Sequence, residues 1–277
     1  MGSKLLKYYQ DNHGQLICKI DINDLFASGK EKKVFFNKKD FFLNSDENNK
    51  MIYKINNDCI EYRSEELIPK MIDDRPVLLF VLGNPASHSI NSEMFFSFEA
   101  NNKEHRFWKK IIRESGIKLS LSDICSSSSQ KMSLEEQNTI RKKKILQLDY
   151  ESPFRIGLSV FHSMPSGASG KWSGVAGIHK LLGIQALRRL EQEEKKRALE
   201  TIETFITGKG AVVVFQKNAW ENLKSDGDPD YEKKVVDREG LRGTVCNRNI
   251  DLICLPPTRL SGPCSAILAS LTEKYKQ

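Results

Sequence analysis

Long apolar runs are missing from this chain of 277 residues, and none approaches the roughly 18 residues that a membrane span requires. Any C-x-x-C pair is missing too. The cysteines, Cys18, Cys59, Cys125, Cys246, Cys254 and Cys264, are scattered, which argues against a zinc site and against a disulfide framework. An iron–sulfur cluster gathered from distant cysteines is the remaining alternative to the expected free, mostly buried thiols. No signal-peptide core follows Met1-Gly2-Ser3-Lys4, and Leu6 stands where a myristoylation signal carries Ser or Thr. The expected location is therefore the cytoplasm, at the nucleoid. No internal repeat is visible.

What is present describes a globular chain. A hydrophobic fraction of 39% and a charged fraction of 29% allow one sizeable core, or one core with a smaller appendage. The net charge of +7 fits a polyanionic partner. Charge is also clustered, with Arg141-Lys142-Lys143-Lys144 cationic and Glu191 to Glu194 mainly acidic. Either fits a solvated helix face, and the acidic stretch is read that way.

The chain is organised around Pro76-Val77-Leu78-Leu79-Phe80-Val81-Leu82-Gly83-Asn84-Pro85-Ala86-Ser87-His88-Ser89. An unbroken apolar run between Pro76 and Gly83 suits a strand buried on both faces of a parallel sheet. The small, polar loop Gly83 to Ser89 follows the carboxyl end of that strand, where such sheets place ligands. It carries an amide, hydroxyls and an imidazole, and reads either as a site or as an ordinary strand-to-helix turn with an N-cap.

Residues 1 to 70 read as an N-terminal extension of two or three short strands, among them Leu16 to Ile20, Lys33 to Phe36 and Met51 to Ile55, with no helix of buried length. Further strands are expected at Phe154 to His162, Gly210 to Phe215 and Ile250 to Leu255. Helices are expected over Glu104 to Gly116, Leu134 to Leu146, Ile178 to Thr207, Ala219 to Leu223 and Ser265 to Lys274, and a turn-rich excursion over Ser225 to Asp230. Alternating strands and helices predict an α/β fold: a three-layer αβα core over 71–277 with a largely parallel sheet of about four strands.

Three stretches together resemble the uracil-DNA glycosylase superfamily, closest to its mismatch-specific branch. Asn84-Pro85 after a buried strand, with His105-Arg106-Phe107-Trp108-Lys109 following, resembles the first motif and the Arg-Phe-Trp-Lys helix of that branch. The stretch Val212 to Trp220 looks like its strand before the last motif, and Pro257-Thr258-Arg259-Leu260-Ser261 is similar to the Pro-Ser-Gly-Leu-Ser of its second motif. The match covers residues 75 to 275.

The resemblance implies a monofunctional DNA glycosylase needing neither metal nor cofactor, working as a monomer on a flipped base. It assigns the hydrolytic water to Asn84. Gly83, Pro85, Ala86 and Ser87 would form the base pocket, with Phe98, favoured over Phe96, stacking on the base. Ser159 falls where many members carry an Asn that reads the base edge. Thr258, Arg259, Leu260 and Ser261 would enter the minor groove, and Arg106 would meet DNA. Pro256 replaces the histidine that other branches place at the second motif, so His88 or His162 would supply a donor to the leaving base.

That chemistry is coherent: a placed water and donors aimed at the departing base serve N-glycosidic hydrolysis, and an apolar wedge offsets base extrusion. Ser159 and the small-residue loop Pro165 to Gly170 leave room for a larger base. Some relatives remove bulky modified pyrimidines from phage DNA, so repair and anti-phage defence are both expected roles. The alternatives are a glycosylase-fold nucleic-acid-binding protein without catalysis and a hydrolase of free nucleosides or nucleotides.

Overall fold

A computed structural model describes residues 5–11, 15–98, 103–124, 132–246, 248–256 and 262–275. The strands are β1 (Leu6–Gln10), β2 (Leu16–Asp21), β3 (Tyr53–Ile55), β4 (Cys59–Ser64), β5 (Val77–Leu82), β6 (Arg155–Val160), β7 (Gly210–Val214), β8 (Leu241–Thr244) and β9 (Asp251–Cys254). They form an antiparallel sheet of order β1-β2-β4-β3 and a five-stranded sheet of order β6-β5-β7-β9-β8.

The fold is α/β, as the alternation predicts. All four expected sheet strands are present within a residue or two of their expected bounds. The sheet differs in having a fifth strand: β5, β7 and β9 run parallel, whereas the short β8 pairs antiparallel with β9 at the edge. At β6, Arg155 N–H donates to Pro76 O and His162 N–H to Gly83 O, so this strand runs in the same direction as β5. β5, β6 and β7 are buried along their whole length, which explains the unbroken apolar runs of β5 and β7, whereas β6 also buries Arg155 and Ser159.

The chain clusters into two compact units that do not divide near residue 70. One gathers Met1–Glu66, Gly83–Phe95 and Val160–Glu200, and the other gathers Leu67–Leu82, Phe96–Ser159 and Thr201–Gln277. The N-terminal stretch falls within the first, discontinuous unit. It also holds a 15-residue helix, Gly29–Leu43, where short strands were expected. Ser28 caps it, accepting from Glu31 N–H while the Glu31 carboxylate accepts from Ala27 N–H. Phe35 and Phe42 sit about two helical turns apart on its buried stripe, so Lys33 to Phe36 follows the 3.6-residue repeat and not the strand repeat. β2 and β4 alternate buried and half-buried positions, and with Ile178, Leu182 and Leu190 they close the core of this unit.

In the other unit the helix at Phe107 is π-wound over Phe107–Ile112, with Phe107, Trp108, Ile111 and Ile112 all buried, and the chain leaves it through Gly116 at φ +80°. The helix Leu134–Gln147 starts in a complete capping box of Ser133 and Glu136. The helical stretch expected as one piece from 178 to 207 is two helices, Gly174–Leu182 and Ile184–Phe205. Gly183 parts them because its φ of +82° lies outside the helical region.

Both charge runs depart from the solvated-face reading. Glu194 is fully buried and Arg197 nearly so, because they pair with each other on the inward face of their helix. Arg141 is buried as well: its guanidinium bonds Glu104 and lies 4.4 Å from the Trp108 ring centroid.

Candidate active site

The loop Gly83–Ser89 leaves the sheet directly after β5. In the strand order β6-β5-β7-β9 the chain passes from β5 to one side and then returns to the other, so β5 and β7 form the topological switch point.

Within its own unit the loop is held at three points. Gly83 O accepts from His162 N–H at 2.8 Å. Ser166 N–H donates to Pro85 O at 3.1 Å, and Ser87 N–H donates to Ser166 O at 2.9 Å, a short parallel bridge. The Asn84 side chain completes the link: its Nδ2 donates to Ser166 Oγ at 2.9 Å and to Pro85 O at 3.3 Å. The Pro85 carbonyl fixes which end of the amide is the donor, since a flipped amide would set two acceptors against each other. Asn84 Oδ1 is left with no hydrogen-bond partner among the described residues, on a half-buried side chain. An acceptor held in this way can orient a water molecule but cannot take its proton.

The sequence reading missed the other wall of this arrangement. Ser87 is buried and its hydroxyl bonds Asn49 Oδ1, so Ser87 is an anchor and not an exposed pocket wall. Asn49, equally buried, donates in turn to Phe42 O. Asn48 Oδ1 accepts from Asn91 Nδ2 at 2.8 Å, and Arg63 donates to Asn91 Oδ1 at 2.6 Å. The residue after Ser166 is Gly167, where an added Cβ would stand 2.9 Å from the Asp46 carboxylate. Asn49 carries no motif, and a run of Asn and Lys in a polar stretch gives no sequence signal for an anchor.

Behind the second loop lies a buried charge cluster. Glu194 Oε1 accepts from Ser163 N–H at 2.6 Å and from its hydroxyl, and Glu194 Oε2 accepts from Arg197 Nε at 2.8 Å. Arg197 also donates to the carbonyls of Val160 and Phe161 and has Glu66 at 3.8 Å. Tyr62 OH meets Ser163 Oγ at 2.7 Å, and Ser64 Oγ donates to Ser163 O at 2.6 Å. The cluster fixes the backbone where β6 ends and the Met164 to Gly170 loop begins.

Two imidazoles belong to this unit. Burial lowers the affinity of half-buried His88 for a proton, opposed only by Asp46, so it is neutral near pH 7. His162 is pushed down to about 4, first by burial and then by the Arg197 charge. Its Nε2 lies 3.6 Å from Glu191 Oε1. A neutral imidazole can donate to a developing anion without carrying charge into the site. At 1% exposure His162 stands behind the loop surface and not on it.

The remaining sequence candidates belong to the other unit. Ser159 is buried at the end of β6, Phe98 is half-buried, and Arg106 is exposed. Phe96 is the conspicuous aromatic: its φ is +50°, a strained value for a bulky residue, and its ring stacks on Phe107 at 4.3 Å and on His105 at 4.7 Å. Thr258, Arg259, Leu260 and Ser261 lie outside the described residues, and Pro256 before them is buried. Among the described residues no group of three or more His, Cys, Asp or Glu side chains could hold a metal ion, and no helix is long and apolar enough to cross a membrane.

No protein-family model matches the chain, and no curated protein is significantly similar to it.

Proposed function

We propose that this protein is a DNA glycosylase of the uracil-DNA glycosylase type, with a three-layer αβα core, that hydrolyses the N-glycosidic bond of a modified or deaminated pyrimidine. The observation that carries the proposal is the Asn84 amide. It follows the switch-point strand, its donors are consumed by Ser166 and Pro85, and its oxygen remains available to a water.

In the proposed reaction the Asn84 oxygen orients the attacking water, and N–H donors of the loop with the neutral His88 imidazole offset negative charge on the departing base. An amide is a weak director of water, so the chemical step is slow compared with a carboxylate-directed one. Lysine and arginine side chains, Arg106 among them, contact the phosphates, and the affinity falls as salt rises. The same residues support both repair and the excision of bulky phage-type bases.

The test is base release from DNA containing uracil, hypoxanthine, mismatched thymine or glucosylated hydroxymethylcytosine, scored by mass spectrometry and by alkaline cleavage at abasic sites. Asn84→Ala should lower release at least a hundredfold while leaving DNA binding within about twofold. Full turnover in that variant would remove Asn84 from the mechanism. The second reading, a binding module without catalysis, is favoured by one observation, Pro256 in place of the second-motif histidine. It would be the outcome if no substrate yields an abasic site although DNA is bound.

A further inference from the structure

At the amino ends of β5, β6 and β7 the second unit encloses a cavity of about 310 Å³, lined among others by Asp74, Arg75, Arg155, Thr207, Gly208 and Lys209. Arg155 is the unusual member. It is 3% exposed, yet no carboxylate lies within ion-pairing distance among the described residues. Its Nη2 donates to Phe205 O at 2.8 Å, its guanidinium lies 5.0 Å from the Phe205 ring centroid, and its Nε is buried with no hydrogen-bond partner among the described residues. A desolvated guanidinium offset by one carbonyl and one ring face is short of a counter-charge.

The neighbouring groups show what is left to bind an anion. Arg75 is already committed: Asp73 holds its Nε at 2.7 Å, and Tyr150 O accepts from Nη1 at 3.1 Å. The Tyr275 hydroxyl is engaged with Gly210 O and the Asp251 carboxylate. Lys209 is exposed and has no acidic partner among the described residues, and the Thr207 hydroxyl and Gly208 belong to the turn that precedes it. With Arg75 and Asp73 cancelling, Arg155 and Lys209 are opposed only by the carboxylate of Asp74. The cavity therefore keeps a net positive charge.

We propose that this cavity binds a small phosphate-bearing anion, with Arg155 as the buried contact and Lys209 as the contact at the mouth. Arginine suits a phosphate because its planar donors meet two oxygens at once, and the Thr207-Gly208 turn offers backbone N–H groups without bulk. The space accommodates a phosphate or diphosphate carrying a small substituent. The site is independent of the glycosylase reading, since none of its residues belongs to the Asn84 loop or to the unit that holds it.

The experiment uses the intact chain, with thermal unfolding and titration calorimetry against inorganic pyrophosphate, adenosine monophosphate and malonate at matched ionic strength. Both phosphates should raise Tm in a dose-dependent way, because a ligand that binds only the folded state stabilises it, and malonate should not. Stronger binding of the nucleotide would identify a phosphate ester as the ligand, and stronger binding of pyrophosphate a free polyphosphate. Arg155→Gln should abolish binding. Because that change is in the core, the exposed positions carry the discrimination: Lys209→Ala should weaken pyrophosphate about fivefold and Asp74→Asn should tighten it about threefold. Absence of any phosphate-dependent shift in the intact chain, equal stabilisation by malonate, or affinities unmoved in both exposed variants would overturn the proposal.

Discussion

Arg197, in the helix Ile184–Phe205, and Arg155, at the start of β6, are both buried guanidiniums, and they are compensated differently. Arg197 has Glu194 at 2.8 Å, Glu66 at 3.8 Å and the carbonyls of Val160 and Phe161. Arg155 has one carbonyl and the face of Phe205. The first has two carboxylates as counter-charge, although its Nη1 is buried with no hydrogen-bond partner among the described residues, and its charge serves to hold a backbone corner in place. The second has no carboxylate within ion-pairing distance among the described residues, and its charge is available. Burial alone therefore does not say what an ionisable side chain is for; the presence of a counter-charge does.

The contrast can be broken most directly by substituting each arginine with methionine. Arg197→Met should cost about 3–5 kcal/mol in urea unfolding, because Glu194 is left buried without its partner. Arg155→Met should stay within about 1 kcal/mol of the parent in phosphate-free buffer, since an uncompensated charge is exchanged for apolar packing. Equal costs in the two variants would end the distinction between a guanidinium with a counter-charge and one without.

A second large effect concerns pH. The unfolded chain takes up a proton at His162 as pH falls through 6.5, while the folded chain does so only near 4. Between those values the unfolded state binds more protons, so stability declines as pH falls, by on the order of 3 kcal/mol over the whole window, and is level in this respect below it. His88 acts in the same direction. His162→Gln should flatten most of that slope in melts recorded from pH 7 to pH 4, and an unchanged slope would assign it to other groups.

Smaller again is the anchor of the Asn84 loop. Asn49→Ala removes the acceptor of the buried Ser87 hydroxyl and the donor to Phe42 O, and should cost about 1–3 kcal/mol. If Asn49 positions the loop as well as stabilising the unit, base release by this variant should fall further than its folded fraction does. Parallel loss of the two would make Asn49 an anchor only.

The sheet was largely legible because β5, β6 and β7 are buried along their whole length, so β5 and β7 are written as continuous apolar runs and β6 as an apolar run broken by Gly157 and Ser159. β8 was not: four residues with one glycine, Leu241–Thr244, carry too little pattern to stand out. The helix Gly29–Leu43 did have a signal, Ser28 with Glu31 three residues on, which the paired phenylalanines and dense lysines obscured. For the site, the Asn84 loop and the small-residue loop after β6 were both visible as composition. Their connection through Ser166 was not, because a bridge between residues 80 positions apart depends on tertiary pairing. Glu194 and Arg197 at a spacing of three residues look the same on an inward face as on a solvated one.

The discontinuous unit has a consequence for synthesis. Its stretches Met1–Glu66 and Val160–Glu200 are separated by about half of the other unit, and the core that covers β2 and β4 includes Ile178, Leu182 and Leu190. At translation rates of about 5–20 residues per second, the interval before those partners leave the ribosome is on the order of 5–20 s. During that time the nascent N-terminal sheet has an uncovered apolar face. Chaperone dependence in cells, or aggregation when residues 1–66 are made alone, would thus be a property of chain order and not of any weakness in the finished fold.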